Sequence, residues 1–527
     1  MNVPIDKSPA PACDSFDPLD MRNYSLEKLP TLPAGPIMQV IKKIGVPLAV
    51  LFFCVFHFQM FPIDSFATQT KVPAAHCYTM LGIFGASLIL WISEAIPNYL
   101  TSLFLIISVV MTGILKEKSA YAYFGHPVMI LNVASFILAS MLVATGLAKR
   151  LALKFILKAG HHATPVFWTF LILNLILGAF INATAAKAAL LMPIFMVISA
   201  IYGATGGDSR NNFAKNLVLQ NLLGINVSCS AYMTGSAANL VAASMLAGAG
   251  AQIFYMDWFI ALAPLAFIVL VLGWLVGTRI IFPVRGDENY PSIDGGLDRL
   301  RAELNSMGPI SLDEIKAAVI FLLVLAFWAT DKLHGLSATV VALAGAAFCL
   351  MPSFSNLPKI GVIDWNKTDI PWHLLMFSFG AYVLGGGIKK TNIVGIGINN
   401  LFDAMGLNGD PNKLLVFLVI AVLFNYSSIL NQSKTARTII FFPIIIGIAE
   451  NFGWDVLGFA LPMAFLINQV YVLYFNSKPA TICYLTNHYS SFESFKYGVA
   501  MQTVVLLCLI PWVQYVMPLM GFDSKLW

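Results

Sequence analysis

The sequence predicts an all-α polytopic membrane protein, and three observations carry that prediction. Of 527 residues, 58% are hydrophobic and only 11% charged, with a mean hydropathy of +0.78, more apolar than a soluble domain of that length could hide. The apolar residues come in repeated runs of about 18 or more, each long enough to cross roughly 30 Å of hydrocarbon as a helix. The short alternating segments that mark a β-barrel are not the pattern here.

In chain order, residues 1–37 hold four aspartates and several prolines but no apolar core with a cleavage site, so they read as a flexible cytoplasmic tail. A first transmembrane helix and its linker occupy 38–75. A first repeat fills 76–283, a cytoplasmic linker with an amphipathic helix 284–312, and a second repeat 313–527. Candidate spans fall at about 38–61, 76–95, 97–115, 126–145, 214–247, 257–283, 313–331, 335–352, 370–389, 457–486 and 495–520, eleven crossings in all. Two further apolar stretches, about 165–200 and 412–449, are interrupted by Asn182-Ala183-Thr184 and Asn431-Gln432-Ser433-Lys434. Each is either two spans or a helical hairpin that enters and turns back.

Lys42 and Lys43, then Lys149, Arg150, Lys154 and Lys158, then Arg279, Arg285, Arg299 and Arg301 flank the spans on one side. The positive-inside bias makes that side, and the N-terminus, cytoplasmic. The expected location is a plasma or bacterial inner membrane. Basic residues at helical spacing from Gly146 to Gly160 predict an interfacial amphipathic helix. The net charge of +5 belongs to such loops and forms no aromatic-interleaved basic patch, so no nucleic-acid partner is expected.

Aligned on their prolines, the two broken stretches repeat. Ala183-Thr184-Ala185-Ala186-Lys187 leading to Pro193-Ile194 lies 250 positions before Ser433-Lys434-Thr435-Ala436-Arg437 leading to Pro443-Ile444. Lys187 and Arg437 are equivalent. Five spans and one hairpin per half give an odd number of crossings, so the halves insert with opposite topology, the inverted-repeat plan of secondary transporters.

Lys187, Lys434, Arg437 and Lys478 stand in apolar surroundings with no carboxylate nearby in sequence. Each costs roughly 2.5–3.5 kcal/mol at mid-bilayer on insertion scales, so together they point to a bound anion. Unwound tips add backbone N–H groups and helix N-termini, which also favour an anion. A second break follows each stretch, Thr234-Gly235-Ser236-Ala237-Ala238-Asn239 and Asn476-Ser477-Lys478-Pro479-Ala480-Thr481. The candidate substrate-binding residues are therefore Thr184, Ala185, Lys187, Ser236, Ser433, Lys434, Thr435, Arg437, Ser477 and Lys478. Lys187 and Arg437, a turn beyond the tips, have a structural role as their alternative. Glu94 reads as an interfacial cap in preference to a proton relay. The seven scattered cysteines form no C-x-x-C pair and read as small hydrophobes. No P-loop, metal motif or nucleophile–base set appears, so an enzyme is not expected.

Taken together, these residues resemble the divalent anion:sodium symporter family over about 75–520. The likeness rests on Ser93-Glu94-Ala95-Ile96-Pro97, Thr145-Gly146-Leu147-Ala148-Lys149-Arg150-Leu151-Ala152, Asp364-Trp365 with Ile370-Pro371-Trp372, and the two proline-ended hairpin motifs. The resemblance implies eleven spans, two re-entrant hairpins, a scaffold-mediated homodimer in the bilayer, and elevator movement of a transport domain carrying dicarboxylates, citrate or sulfate. Family symporters have Ser-Asn-Thr motifs at both tips; here Ala183-Thr184-Ala185 and Ser433-Lys434-Thr435 stand in those places. A fixed ammonium at Lys434 repels sodium and itself supplies the anion's countercharge. The run Thr435-Ala436-Arg437 resembles the sodium-independent exchanger branch.

The resulting expectation is exchange of small organic dianions or trianions, such as malate, succinate, 2-oxoglutarate or citrate, without a cofactor. A sodium- or proton-coupled symporter of carboxylate, sulfate or sulfonate is the alternative, with Asn182 and Gly235 as the candidates for a sodium site. An anion channel with a ring of cations is a third reading.

Overall fold

Apolar runs interrupted by Gly and small polar residues fold into helices that stop at those interruptions, while Pro47, Pro193, Pro264 and Pro443 lie inside helices. The computed structural model describes residues 17–24, 36–68, 72–293, 295–352, 360–404, 411–429 and 433–527, and among these it contains helices and turns but no extended strand. Most of the segment expected as a tail lies outside the described residues. Its residues 17–24 end in a turn, Met21–Tyr24, that buries Tyr24 in the core, and Asp17 pairs with Arg299 at 3.5 Å.

Helix α1 (Pro36–His57) packs along α2 (Ala74–Ser93), and most of its large apolar side chains stay exposed, as a lipid-facing helix requires. Glu94 ends α2 in a left-handed conformation and lies 3.9 Å from Lys42, an interfacial pairing. Next come α3 (Asn98–Met111) and α4 (Pro127–Ala144), the latter opened by Pro127, whose missing N–H costs nothing at a first turn. Gly146, at φ +73°, turns the chain into the amphipathic α5 (Leu147–Ala159).

Helices α6 (Ala163–Phe180) and α7 (Thr184–Ile201) meet at residues 181–183, and α8 (Asn212–Ser230) is separated from α9 (Ala237–Gly248) by a short unwound turn. Helix α10 (Tyr255–Leu275) closes the first half. The linker contributes α11 (Gly296–Ser306). The second half repeats the order with α12 (Leu312–Ala329), α13 (Ala338–Leu350), α14 (Trp372–Thr391) and α15 (Ile393–Ala404). The hairpin α16 (Lys413–Tyr426) and α17 (Lys434–Asn451) follows, then the broken pair α18 (Val456–Ala464) and α19 (Lys478–Leu485), then α20 (Ser491–Pro511). Among the described residues, six helical segments of 18 residues or more are long and apolar enough to cross a membrane by themselves. Of the shorter apolar helices, α6, α9, α16 and α18 are pieces of the hairpins and broken crossings, and α3 and α13 are short helices at the spans expected at 97–115 and 335–352.

The depth of the first hairpin follows from its contacts. Tyr202, just past α7, donates to Gly160 O at 3.0 Å, so the stretch leaves on the side where it entered. Lys187, one turn from the tip, touches Cys229 at the end of α8, and α9 then runs on for 12 residues, about 18 Å at 1.5 Å per residue. The tip therefore reaches the middle of that crossing and turns back.

At the basic end of the molecule, α5 is clamped to the linker. Arg150 pairs with Glu314 at 2.6 Å and donates to the carbonyls of Met307, Gly308 and Pro309 at 3.0, 2.8 and 3.4 Å, and Lys149 pairs with Glu303 at 2.6 Å. Glu314 also completes a capping box with Ser311 at the start of α12. At the same end the loop after α7 meets the loop after α19. Gly207 N donates to Asn487 O at 3.0 Å, Arg210 holds the Asn487 carbonyl at 2.8 Å, and Lys215 pairs with Glu493. His488 is buried there, its Nε2 3.4 Å from Ala204 O, and burial pushes its imidazole down to about 4.

Candidate functional site

At the first tip the chain is extended through Ile181 and Ala183 before α7 begins. Ala183 occupies the N-cap without a side chain able to cap, so the first N–H groups of α7 receive no side-chain acceptor. Thr184 and Ala185, in the first turn, are half-buried. Asn182 is buried, and neither end of its amide has a partner. Lys187 is fully buried. Its Nζ lies 3.3 Å from Ser228 Oγ and 2.9 Å from Cys229 Sγ, both at the end of α8, while Cys229 Sγ reaches Ile225 O at 3.2 Å.

At the second tip Ser433 caps α17, accepting from Ala436 N at 3.1 Å. Lys434 follows, and its buried Nζ has no hydrogen-bond partner; Thr435 beside it is half-buried. Lys434 lies within electrostatic reach of Lys187, Arg437 and the Cys229 thiol. Arg437 is fully buried and fully engaged. Nε donates to Ser427 Oγ at 2.9 Å, Nη1 to Ile467 O at 3.2 Å, and Nη2 to Phe424 O, with Leu466 O at 3.4 Å and Asn425 O at 3.5 Å. Its guanidinium also sits 5.1 Å from the centre of the Phe424 ring. It thereby ties α16, α17 and the unwound end of α18 into one unit.

The two breaks face each other. Ser236 caps α9, accepting from Asn239 N at 3.3 Å, and Gly235 permits the close turn, because a Cβ there would come within 2.3 Å of Cys229 O. Asn239 donates to Cys229 O and Tyr232 O at 2.8 and 2.9 Å and accepts from Asn468 Nδ2 at 2.9 Å. Asn468 also reaches Ser230 Oγ at 3.2 Å, and Ser230 donates to Phe465 O at 3.1 Å. In the second break Ser477 caps α19, accepting from Ala480 N at 3.3 Å and donating to Val470 O at 3.0 Å. Asn476 donates to Ser428 O at 2.6 Å, and Gln502 of α20 donates to Ser428 Oγ at 2.6 Å and Gln469 O at 2.9 Å. These amides satisfy the carbonyls that unwinding frees.

The predicted residues therefore divide. Lys187 and Lys434, each at or within a turn of its hairpin tip, lie within electrostatic reach of each other, and Ser236 and Ser477 cap the helices that restart after the breaks. Lys478 differs from the sequence picture of a cation inside the break. It is the first residue of α19 and its side chain is exposed. Sequence reasoning passed over Cys229, Asn468 and Gln502; the available signal was a polar or thiol group in the middle of an apolar run. No carboxylate pairs with Lys187, Lys434 or Arg437 among the described residues, and no cluster of three His, Cys, Asp or Glu is placed to hold a metal.

A cavity of about 460 Å³ lies away from the tips, between α14 and α15 on one side and the C-terminal parts of α9 and α17 on the other. Tyr123, Tyr382, Lys389 and Glu450 are among its lining residues.

Comparison with known proteins agrees with this architecture. Residues 54–522 match the family model described as the sodium:sulfate symporter transmembrane region. A "membrane protein" of Cupriavidus necator is 25% identical over 444 residues, covering 80% of this chain and 83% of its own length. The sodium-dependent dicarboxylate transporter SdcS of Staphylococcus saprophyticus is 24% identical over 451 residues, covering 82% of this chain and 85% of that protein. In fold, the chain is similar to the crystal structure of the Alcanivorax borkumensis YdaH transporter, with a TM-score of 0.50 at 12% identity over 93% of this chain and 99% of that one. With most of its length matched by the family model and its helices ordered as a transporter's, the chain belongs to the sodium:sulfate symporter family of membrane anion transporters.

Proposed function

We propose that the protein is a secondary transporter of small organic dianions or trianions, dicarboxylates first, which it exchanges across the membrane without sodium. The observation that supports this reading is that Lys187 and Lys434, from symmetry-related hairpins, have buried ammonium groups within electrostatic reach of each other and no paired carboxylate among the described residues. Two ammonium groups match two carboxylates. The N-termini of α7 and α17 add partial positive charge at the same depth. A dicarboxylate is also what the staphylococcal relative is named for.

Exchange follows from the same electrostatics. An empty site would carry its cations through hydrocarbon uncompensated, whereas the loaded site approaches neutrality. Arg437 adds charge, but its donors are spent on carbonyls and hydroxyls of its own half, which favours a structural role for it. Movement would carry the α6–α9 and α16–α19 elements together as an elevator, since the Asn239–Asn468 contact joins them, against a scaffold that also forms a homodimer. The cytoplasmic N-terminus of the positive-inside count is part of the same proposal.

Sodium-coupled symport is the second reading. The relatives named above include a sodium-dependent transporter, and the amide of Asn182 is buried at the first tip with its oxygen free. Uptake of labelled succinate, malate and citrate into proteoliposomes, with and without a sodium gradient and with and without internal unlabelled anion, separates the two. Uptake that needs internal anion and ignores sodium is the expected result; sodium-driven uptake into empty vesicles overturns exchange in favour of symport.

A further inference from the structure

The buried sulfur beside Lys187 has no part in the transport scheme so far. Cys229 is fully buried at the last turn of α8, and three features set it apart from an inert small hydrophobe. Its Sγ is 2.9 Å from Lys187 Nζ, nearer than the Ser228 hydroxyl at 3.3 Å. Its main-chain carbonyl is held by Asn239, and Gly235 packs against that same carbonyl, so the residue is fixed in place by the first break. Lys434, its Nζ buried and without a partner among the described residues, lies within electrostatic reach of both Cys229 and Lys187. Arg437, one turn beyond Lys434, is committed to the carbonyls of Ile467 and Phe424 and to the Ser427 hydroxyl, and the Tyr255 hydroxyl is engaged with Thr234.

The two cations are thus unequal: one has an internal partner and the other has none. We propose that Cys229 is an internal competitor for the substrate anion, holding Lys187 in the empty site and yielding it when a second carboxylate arrives. Lys434 takes the first carboxylate, since nothing must be displaced there. The second carboxylate must win Lys187 from the sulfur. A monoanion satisfied by Lys434 alone leaves the Lys187–Cys229 contact in place, so Cys229 is a positioning residue that separates anions of one charge from those of two. No bond is made or broken; one hydrogen bond of the ammonium is exchanged for a charge-assisted one to oxygen, which is stronger.

This inference rests on the proposed anion site, and the test separates the two. Wild type, Cys229→Ala, Lys187→Met and the double variant are reconstituted, and KM and kcat for succinate exchange are measured together with inhibition by butyrate. Removing the competitor is expected to lower the succinate KM by roughly three- to ten-fold, the scale of one ordinary hydrogen bond, as suits a weak sulfur acceptor, with little change in butyrate inhibition. In the Lys187→Met background the cysteine substitution is expected to have no effect on KM. A succinate KM that is unchanged or raised in Cys229→Ala overturns the inference, as does an equal gain for butyrate, while leaving dianion transport itself standing. Failure of wild type to exchange any dianion overturns the site and this inference with it. Cys229→Val, closer in volume and equally without an acceptor, must give the same direction and serves where the alanine variant does not accumulate.

Discussion

Lys434 and Arg437 stand one helical turn apart on α17, and their surroundings fit them for opposite tasks. Among the described residues nothing hydrogen-bonds the Lys434 ammonium, which leaves it open to a partner from outside the protein. On the proposed function, Lys434→Asn removes a charge that pairs with the anion and is expected to lower kcat/KM for dicarboxylate at least roughly thirty-fold, the scale seen when one member of a buried charge pair is truncated. Uptake at unchanged kinetics would sink its role. Arg437→Met leaves carbonyls of two segments without a donor, and orphaned buried acceptors cost about 1–3 kcal/mol each. The expected signature is a lower unfolding temperature in detergent with little change in KM among molecules that fold; a raised KM at unchanged stability would return Arg437 to the substrate. The sequence pairs Lys187 with Arg437 by alignment and cannot tell that one faces a thiol and the other a cage of carbonyls. That distinction depends on what the neighbouring helices bring.

Between elements, the contact of the two breaks is the central joint. Asn239 and Asn468 hold each other while each also holds carbonyls or hydroxyls of the unwound segments. Their alanine variants, singly and together, are expected to show a coupling of about 1 kcal/mol in a double-mutant cycle of thermal stability. Strict additivity would mean that the breaks are held independently. At the basic end a second joint unites the loops after α7 and α19 around His488. Because burial lowers that imidazole to about 4 against an ordinary 6.5, the folded joint binds fewer protons than the open one between those values. Its contribution is complete above about 6.5 and declines as pH falls toward 4. Protection factors for amide exchange in residues 204–210 and 486–490, observed rates corrected for their intrinsic pH dependence, should therefore fall as pH drops through that window in wild type and stay level in His488→Gln. Positions of the helices were legible from hydropathy: the span expected at 76–95 is α2 at Ala74–Ser93, and that at 97–115 is α3 at Asn98–Met111. The breaks at Asn182 and Gly235 were legible from small and polar residues in apolar runs. Which way a break residue points was not, and Lys478 ends exposed because its place at the start of α19, rather than its neighbours in sequence, decides its facing.

Across the whole molecule, the inverted repeat sets two hairpins and two broken helices around one centre, and that symmetry could be read from the 250-residue offset of the proline motifs. The clamp at the linker could not, because Arg150 and Glu314 are 164 positions apart and each looks like an ordinary interfacial charge. Glu314→Gln leaves Arg150 as an uncompensated buried charge, and breaking such pairs costs about 3–5 kcal/mol. The expected result is a marked loss of thermal stability that Arg150→Met, combined with it, partly restores; no loss would show that the linker carbonyls suffice to hold the guanidinium. The same clamp has a consequence for how the chain may be divided. Arg150 belongs to the first half, yet it grips three successive carbonyls and a carboxylate that belong to the stretch leading into the second. A chain interrupted in the exposed turn Gly286–Asn289 would keep all of those contacts between its two fragments, so separately translated halves should find each other in the bilayer and reassemble.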